Sequence, residues 1–326
     1  MELTRPVRSQ YYRRIFSAYM MGGASQLKFW HDQPQATRNI SPSELGEYYM
    51  PFIAKANYPH VDICGIPKLN YRGAIGWQYN PIAIAQHGLG HHTLFRRTGR
   101  QENRDRFLIA AGWLIRNLER NQAGLHVWNH HFDWEYRSRL KAPWCSGLAQ
   151  GQGISLLVRA YRETRDEYYL EAAQRAFGAL STPVESGGML AGTGEHVWIE
   201  EYIVDPPTHI LNGCLWASWG LYDYWLATGD QRALILFREV AASAAARLSD
   251  FDTGFWSLYE QSGMRMKMLA SPFYHRLHIA QLEVMCHLTG NRTFASFAHK
   301  WSGYQHNAVK RGYAFLHKCA FKLLYY

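Results

Sequence analysis

Four short turns punctuate the chain at near-equal intervals: Thr98-Gly99-Arg100, Thr164-Arg165-Asp166, Thr228-Gly229-Asp230 and Thr289-Gly290-Asn291, their threonines 66, 64 and 61 residues apart. A recurrence this regular marks a repeated supersecondary unit, which buries its apolar face only by packing beside its neighbours. Each turn joins an apolar helical pattern to a second helix with a charged side. The spacing predicts inner helices over residues 81–97, 146–162, 208–227 and 275–288. Their partners begin near Gln101, Asp166, Asp230 and Asn291, and Arg116, Glu119 and Arg120 exemplify the charged outer face. Strand-like stretches precede every inner helix, at residues 70–79, 125–136, 188–202 and 254–267. The expected fold is mainly α, an α/α toroid of helical hairpins with small β-hairpins at the mouth. Residues at the same phase of different repeats then converge there.

The barrel is expected over residues 61–326 as one domain, with residues 1–60 a covering segment whose apolar clusters lie around 11–21 and 48–53, either side of a polar loop near 34–42. No Pro/Gly/Ser-rich linker, low-complexity run or block of like charge separates halves. The formal charge of +9 favours an anionic partner. The basic residues are scattered and no zinc-finger, basic-heptad or other nucleic-acid signature is present. Five cysteines, widely spaced and without a C-x-x-C pair, argue against a disulfide framework or structural zinc site and fit a reducing compartment. No leader-length apolar core follows the basic start and no run of eighteen apolar residues occurs, so a cytoplasmic protein without a membrane span is expected. The sequons Asn39-Ile40-Ser41 and Asn291-Arg292-Thr293 are short enough to arise by chance.

The chemistry centres on residues 195–225. There an alternating run (His196, Trp198, Glu200 against Val197, Ile199, Glu201) ends in Glu200-Glu201-Tyr202 and reads as a strand. Pro206 and Pro207 stop it, and a helix is expected to start near Thr208 as N-cap, burying a face of Leu211, Leu215, Trp219, Tyr222 and Trp225. The same phase in the other repeats supplies Tyr79, Gln86, His87, His91 and His92, then Trp144, Gln150 and Gln152, then Asn212, and finally Tyr259, Tyr274, His275 and His278. His87 and His91 stand at i, i+4, but H-E-x-x-H is absent and His275 and His278 lack an acidic neighbour, so neither metal nor cofactor is called for. No G-x-S-x-G elbow occurs, and Gly151-Gln152-Gly153 falls inside a helix, where close packing explains it better than phosphate binding. Glycoside hydrolysis would pair Glu201 with Glu195, Glu200, Asp133 or Glu135. The phenols point elsewhere: a tyrosine near cations or hydrogen bonds can move a proton beside a carboxylate. The high aromatic content, 12 Trp and 21 Tyr, suits a sugar-binding surface as well as a large helical core.

At this level the residues resemble a known family. Glu200-Glu201-Tyr202 followed by Leu211-Asn212-Gly213 and Gly220-Leu221-Tyr222-Asp223 is similar to the C-terminal catalytic region of the D-glucuronyl C5-epimerases, which convert glucuronic to iduronic acid in heparan-type chains. Pro81-Ile82 with Ala85-Gln86-His87-Gly88-Leu89 and His91 resembles that family's A-Q-Y-G-L-S-H helix. Trp144-x-Ser146 through Ala149-Gln150-Gly151-Gln152 resembles its W-x-S-x-x-A-Q-G-Q segment, and Tyr274-His275, His278-Ile279 and Gln281-Leu282 its Y-H-x-x-H-I-x-Q-L segment. Four ordered matches over residues 77–282 are more specific than any one.

The resemblance implies an α/α barrel isomerase acting on a heparosan-like, anionic uronate polysaccharide. It implies catalytic Glu201, Tyr202, Tyr259 and Tyr274, with Glu201 and Tyr274 as acid and base on opposite faces of C5 and Tyr202 and Tyr259 positioning the uronate. The other converging residues would contact substrate. His87 replaces a family tyrosine. The segment between Tyr259 and Tyr274 is shortened, and an arginine that the family carries soon after the first tyrosine is out of register, with Arg265 or Lys267 as substitutes. The animal enzymes' membrane anchor and β-rich N-terminal region are expected to be missing. A lyase or glycoside hydrolase on the same barrel, or a non-catalytic uronate-binding protein, are the competing readings. The aromatic tail at 304–326 is either a homodimer contact or a closing segment of the barrel.

Overall fold

The computed structural model describes residues 34–38, 40–71, 73–192 and 196–325. The cluster at 11–21, Asn39 of the first sequon and Glu195 lie outside the described residues. Four helical hairpins follow one another: α1 (Pro81–Thr98) with α2 (Gln101–Arg116), α3 (Gly147–Thr164) with α4 (Glu167–Ser181), α5 (Leu211–Thr228) with α6 (Gln231–Arg247), and α7 (Pro272–Thr289) with α8 (Arg292–His306). A further helix, α9 (Ala308–Tyr325), packs on α8 and α7. The inner helices lie side by side in the order α1, α3, α5, α7, with α2, α4, α6 and α8 outside them. This is the α/α barrel that the repeat spacing predicts.

The repeated turns show why the spacing is so legible. In each, the threonine hydroxyl donates to the carbonyl four residues back (Thr98 to Leu94, 2.7 Å; Thr164 to Ala160, 2.8 Å; Thr228 to Tyr224, 2.8 Å; Thr289 to Met285, 2.6 Å). It also accepts the backbone N–H two residues on. The next residue is left-handed, with φ of 68°, 60°, 72° and 69° at Gly99, Arg165, Gly229 and Gly290, and closes the helix through its own N–H. Asp166, Asp230 and Asn291 then cap the outer helices.

Glycines set how closely the inner helices meet. A Cβ at Gly151 would lie 2.5 Å from the Ala217 Cα, and one at Gly220 would lie 2.5 Å from the Gly151 Cα, so α3 and α5 touch backbone to backbone. Gly153 lies against the Trp128 ring. Close helix packing is therefore what Gly151-Gln152-Gly153 provides.

At the C-terminal ends of the inner helices, residues 42–56 lie across the barrel as a floor. Arg159 Nη1 and Asp223 Oδ2 form an ion pair of 2.6 Å with both side chains almost wholly buried. Tyr49 donates to Asp223 (2.7 Å), Arg159 to the Gly46 carbonyl (3.0 Å), Arg162 to the Leu45 carbonyl (2.7 Å) and Tyr222 to the Pro42 carbonyl (2.5 Å). Tyr48 and Tyr49 pack on Trp219 at 5.9 and 5.3 Å.

At the opposite end the strands are two-residue pairs: β1 (Leu69–Asn70) with β2 (Trp77–Gln78), β3 (Glu119–Arg120) with β4 (His126–Val127), β5 (Asn129–His130) with β8 (Trp144–Cys145), β6 (Trp134–Glu135) with β7 (Arg139–Leu140), and β9 (Leu190–Ala191) with β10 (Trp198–Ile199). The stretch 254–267 forms no strand; isolated bridges join Asp252 to Ser257 and Leu258 to Leu269. The alternating run is strand only at Trp198–Ile199, and Val197 through Glu201 are all buried, because both sides of the run face packed elements. Thr208 is not an N-cap: the chain stays outside the helix through a left-handed His209 and an extended Ile210, and α5 starts at Leu211, buried all round through Tyr224 rather than on one face.

Candidate active site

Glu201 is enclosed by the start of α5 and by its neighbour Tyr202, with Glu260 of the 252–271 loop near enough for its charge to act on it. It ends the chain leaving β10, and the start of α5 packs on it so tightly that a Cβ at Gly213 would collide with its side chain. One helix residue earlier, Asn212 Nδ2 donates to Glu201 Oε2 at 3.2 Å. Tyr202 also donates to this carboxyl. Burial pushes Glu201 up to about 8, helped by the charges of Glu200 and Glu260 and opposed by the Tyr202 and Asn212 hydrogen bonds. A carboxyl poised near neutrality in a buried site is a group suited to taking and returning protons.

The loop from Asp252 to Ser271 brings Tyr259 over this carboxyl, pinned by its N–H to the Met268 carbonyl (2.8 Å) and by its carbonyl to the Leu211 N–H (3.3 Å). The first turn of α7, capped by Ser271, presents Tyr274, whose ring meets that of Tyr259 edge to face at 4.9 Å. Burial, then the negative charge of Glu201, holds the Tyr259 phenol well above the usual range, with Tyr274, Tyr202 and Tyr136 contributing. Tyr202 packs on Tyr136 (4.6 Å) and Trp144 (5.7 Å). From there an aromatic wall of Trp144, Phe132, Tyr71 and Trp134 runs along the mouth.

Glu200 is held apart from Glu201: its carboxylate pairs with the His209 ring and accepts the His209 N–H at 3.0 Å, which fixes His209 at a φ of 48°. Asp133 pairs with Arg139 at 2.7 Å on the surface, and Glu135 lies half-buried in the β6–β7 hairpin. The second buried carboxyl beside Glu201 is Glu260, which accepts from the Tyr136 hydroxyl. Sequence phase did not single out Glu260, Tyr136 or Lys318; the last sits on α9 with its Nζ 4.8 Å from the centre of the Tyr259 ring.

The remaining sequence-selected residues divide into four groups. Gln86 donates to Gln152 (3.2 Å) and Gln281 to the Asn212 carbonyl (2.9 Å), while Gln152 Nε2, Asn212 Oδ1 and Gln281 Oε1 are buried with no hydrogen bond inside the protein. Trp144 bonds to the Phe132 carbonyl and stacks on His130 at 3.8 Å. His275 and His278 both bond to Ser257 (2.7 and 3.0 Å), and His275 reaches the Trp301 carbonyl (3.0 Å), so this pair braces the 252–271 loop. Others are engaged elsewhere: Gln150 bonds to the carbonyls of His126 and Ala176, Tyr79 to Asp62, His91 to Asn103, His87 to the Lys55 carbonyl, and His92 lies 3.9 Å from Glu163. Among the described residues no group of three His, Cys, Asp or Glu is arranged to hold a metal ion, and no helix is long and apolar enough to cross a membrane.

The family model described as D-glucuronyl C5-epimerase C-terminus matches residues 121–303. An uncharacterized protein of Methanocaldococcus jannaschii is 31% identical over 179 residues, 54% of this chain and 56% of that protein. The D-glucuronyl C5-epimerase of Caenorhabditis elegans is 30% identical over 220 residues, covering 63% of this chain and 36% of the worm protein. The matches thus span about half, or less, of these relatives' lengths. Among solved structures, a cellobiose 2-epimerase from Bacillus thermoamylovorans aligns with a TM-score of 0.53 at 13% identity, over 89% of this chain and 72% of the other. A family 76 glycoside hydrolase (mannosidase) from Bacteroides thetaiotaomicron aligns with a TM-score of 0.50 at 13% identity, over 97% and 83%. At these identities the structural likeness speaks for the barrel.

Proposed function

Because this chain belongs to the D-glucuronyl C5-epimerase C-terminus family, we propose that it is a uronate C5-epimerase converting D-glucuronate to L-iduronate residues in a heparosan-like polysaccharide. The observation that carries this reading is the buried Glu201 carboxyl, raised to about 8 and surrounded by the phenols of Tyr202, Tyr259 and, through Tyr259, Tyr274. In the forward step the ionised Glu201 takes the C5 proton. The C5–H bond breaks and its electron pair moves into the substrate carboxylate, giving an enediolate. Tyr274 gives its hydroxyl proton to the opposite face of C5, and the new C–H bond inverts the centre. Tyr259, a neutral donor, hydrogen-bonds the uronate and favours the enediolate as charge builds on its oxygens, and Tyr202 joins it once Glu201 has taken the proton and no longer needs the Tyr202 hydrogen bond. Exchange with water restores Glu201 and Tyr274. The +9 charge of the chain draws in a polyanion, and the half-buried Trp144 and Trp134, backed by the buried Phe132 and Tyr71, offer surface for neighbouring sugars.

Glu260 favours a second reading, since two buried carboxyls in one site also serve glycoside hydrolysis. Proton NMR of desulfated heparosan incubated with the protein in deuterated water separates the two. Loss of the glucuronate H5 signal with iduronate appearing is the expected result. Unsaturated ends would identify a lyase that shares the C5 carbanion, new reducing ends without unsaturation a hydrolase, and no change across a panel of uronate polymers would end the catalytic reading.

A further inference from the structure

The buried stripe of α9 is Ala314, Lys318 and Phe321, one residue per helical turn. A lysine at the centre of such a stripe is unusual, because burying an ammonium costs several kcal/mol unless charge or hydrogen bonds compensate. Lys318 is only 2% exposed, and its Nζ lies 4.8 Å from the centre of the Tyr259 ring, with the Glu260 charge acting on it. The groups around it are Tyr259 and Glu260 on the 252–271 loop, Tyr136 behind Glu260, His278 with His275 on α7, and His317 on its own helix. Arg265 and Lys267, the substitutes nearest in sequence for the family's arginine, are exposed. They line a cavity of about 590 Å³ on the outer side of the loop, together with Tyr313 and His317. The cation at Tyr259 therefore comes from a different element.

We propose that Lys318, carried by α9 beyond the region matched by the family, is the cation of this active site: a positioning residue that orients Tyr259 and offsets the negative charge gathered around Glu260 when a uronate carboxylate enters. The inference rests on the epimerase reading for its effect on turnover, though not for its electrostatics. Glu201, Glu260 and the substrate carboxylate together place up to three negative charges in one buried region, and an enediolate adds more. One ammonium against the Tyr259 ring face keeps that phenol oriented and lowers the cost of the accumulated charge. Burial brings Lys318 down to about 7, with Glu260 acting in the other direction, so its charge is lost above neutrality in the free enzyme.

Lys318→Met keeps the length and packing of the side chain and removes the charge. The expected result is a cooperative melt close to wild type, a fall in kcat for H5 exchange of more than about tenfold with a smaller change in KM, and loss of an alkaline limb near pH 7 from the rate profile. Lys318→Arg, which cannot lose its charge in this range, should keep measurable turnover and move that limb upward. Carbon NMR of ε-labelled lysine provides a readout free of substrate. One lysine should titrate near 7, vanish in Lys318→Met and titrate lower in Glu260→Gln. A folded Lys318→Met with wild-type kcat and pH profile would overturn the inference while leaving the epimerase reading intact. If the wild type exchanges no uronate, the epimerase reading fails instead, and the NMR titration still decides: a signal unmoved by Glu260→Gln sinks the proposed coupling.

Discussion

Glu201 links activity, pH and stability through one proton. Its carboxyl rises from 4.5 to about 8 on folding, burial being the main cause. In the proposed mechanism the ionised Glu201 and the charged Lys318 coexist mainly between about 7 and 8, so the rate should peak there and fall close to tenfold per unit on the acid side. The stability effect has the opposite sense. The folded state binds more protons than the unfolded one between pH 4.5 and about 8, so the stability present below 4.5 is lost as pH rises through that window. Glu201→Gln cannot ionise. At pH 9 it should unfold at higher denaturant than wild type, by on the order of a few kcal/mol, with the gap closing toward pH 4.5, and H5 exchange should vanish at every pH. Equal stability at both pH values would mean that the carboxyl is solvated. Glu201, Tyr202 and Tyr274 were legible in the sequence because each sits inside a contiguous motif at an element boundary. Glu260 and Lys318 were not. Tyr136 meets Glu260 from 124 residues away, and Lys318 sits in a lysine- and histidine-bearing helix that reads as solvated until its inner stripe is known.

Elements were more legible than the faces they present. The Thr-Gly turns gave helix ends to within a residue or two, because the threonine hydroxyl, the left-handed residue and the following cap are all local interactions. Arg165 is the exception among the four, since it takes the glycine's place at a φ of 60°. An L side chain pays about 1–2 kcal/mol in that conformation. Arg165→Gly should therefore raise the urea midpoint, with a gain of about 0.5–1 kcal/mol after glycine's extra chain entropy and the lost Arg165–Tyr161 contact. Orientation was harder to read. Gln150 and Gln152 lie two apart on α3 and so point roughly opposite ways, one to the outer carbonyls and the other to Gln86. The start of α5 was misplaced for a related reason: Glu200 captures a left-handed His209 and keeps the chain out of the helix past Thr208, a contact with no local signature.

For the whole molecule, the barrel separates the end that holds the candidate site from a structural one. The Arg159–Asp223 pair at the floor makes no contact with Glu201's surroundings, yet it ties α3 and α5 to the segment at 42–56. Asp223→Asn leaves a buried guanidinium without its counter-ion and should cost about 3–5 kcal/mol by chemical denaturation. Tyr49→Phe, which removes one hydrogen bond to the same carboxylate, should cost about 1–2 kcal/mol. The surviving folded fraction of either variant should retain the wild-type pH profile, since the altered groups lie at the opposite end from the proposed site.

The floor also has a temporal meaning. Tyr49 finds its carboxylate 174 residues later in the chain, and the Pro42 carbonyl its tyrosine 180 residues later. A ribosome makes residues 42–56 well before α5, so Tyr48 and Tyr49 lack their Trp219 and Asp223 partners until that helix emerges, although residues 53–56 already have α1 to pack on. What serves as the foundation of the finished barrel is completed only when a helix far along the chain arrives, and the growing chain is most open to rescue by a chaperone in that interval.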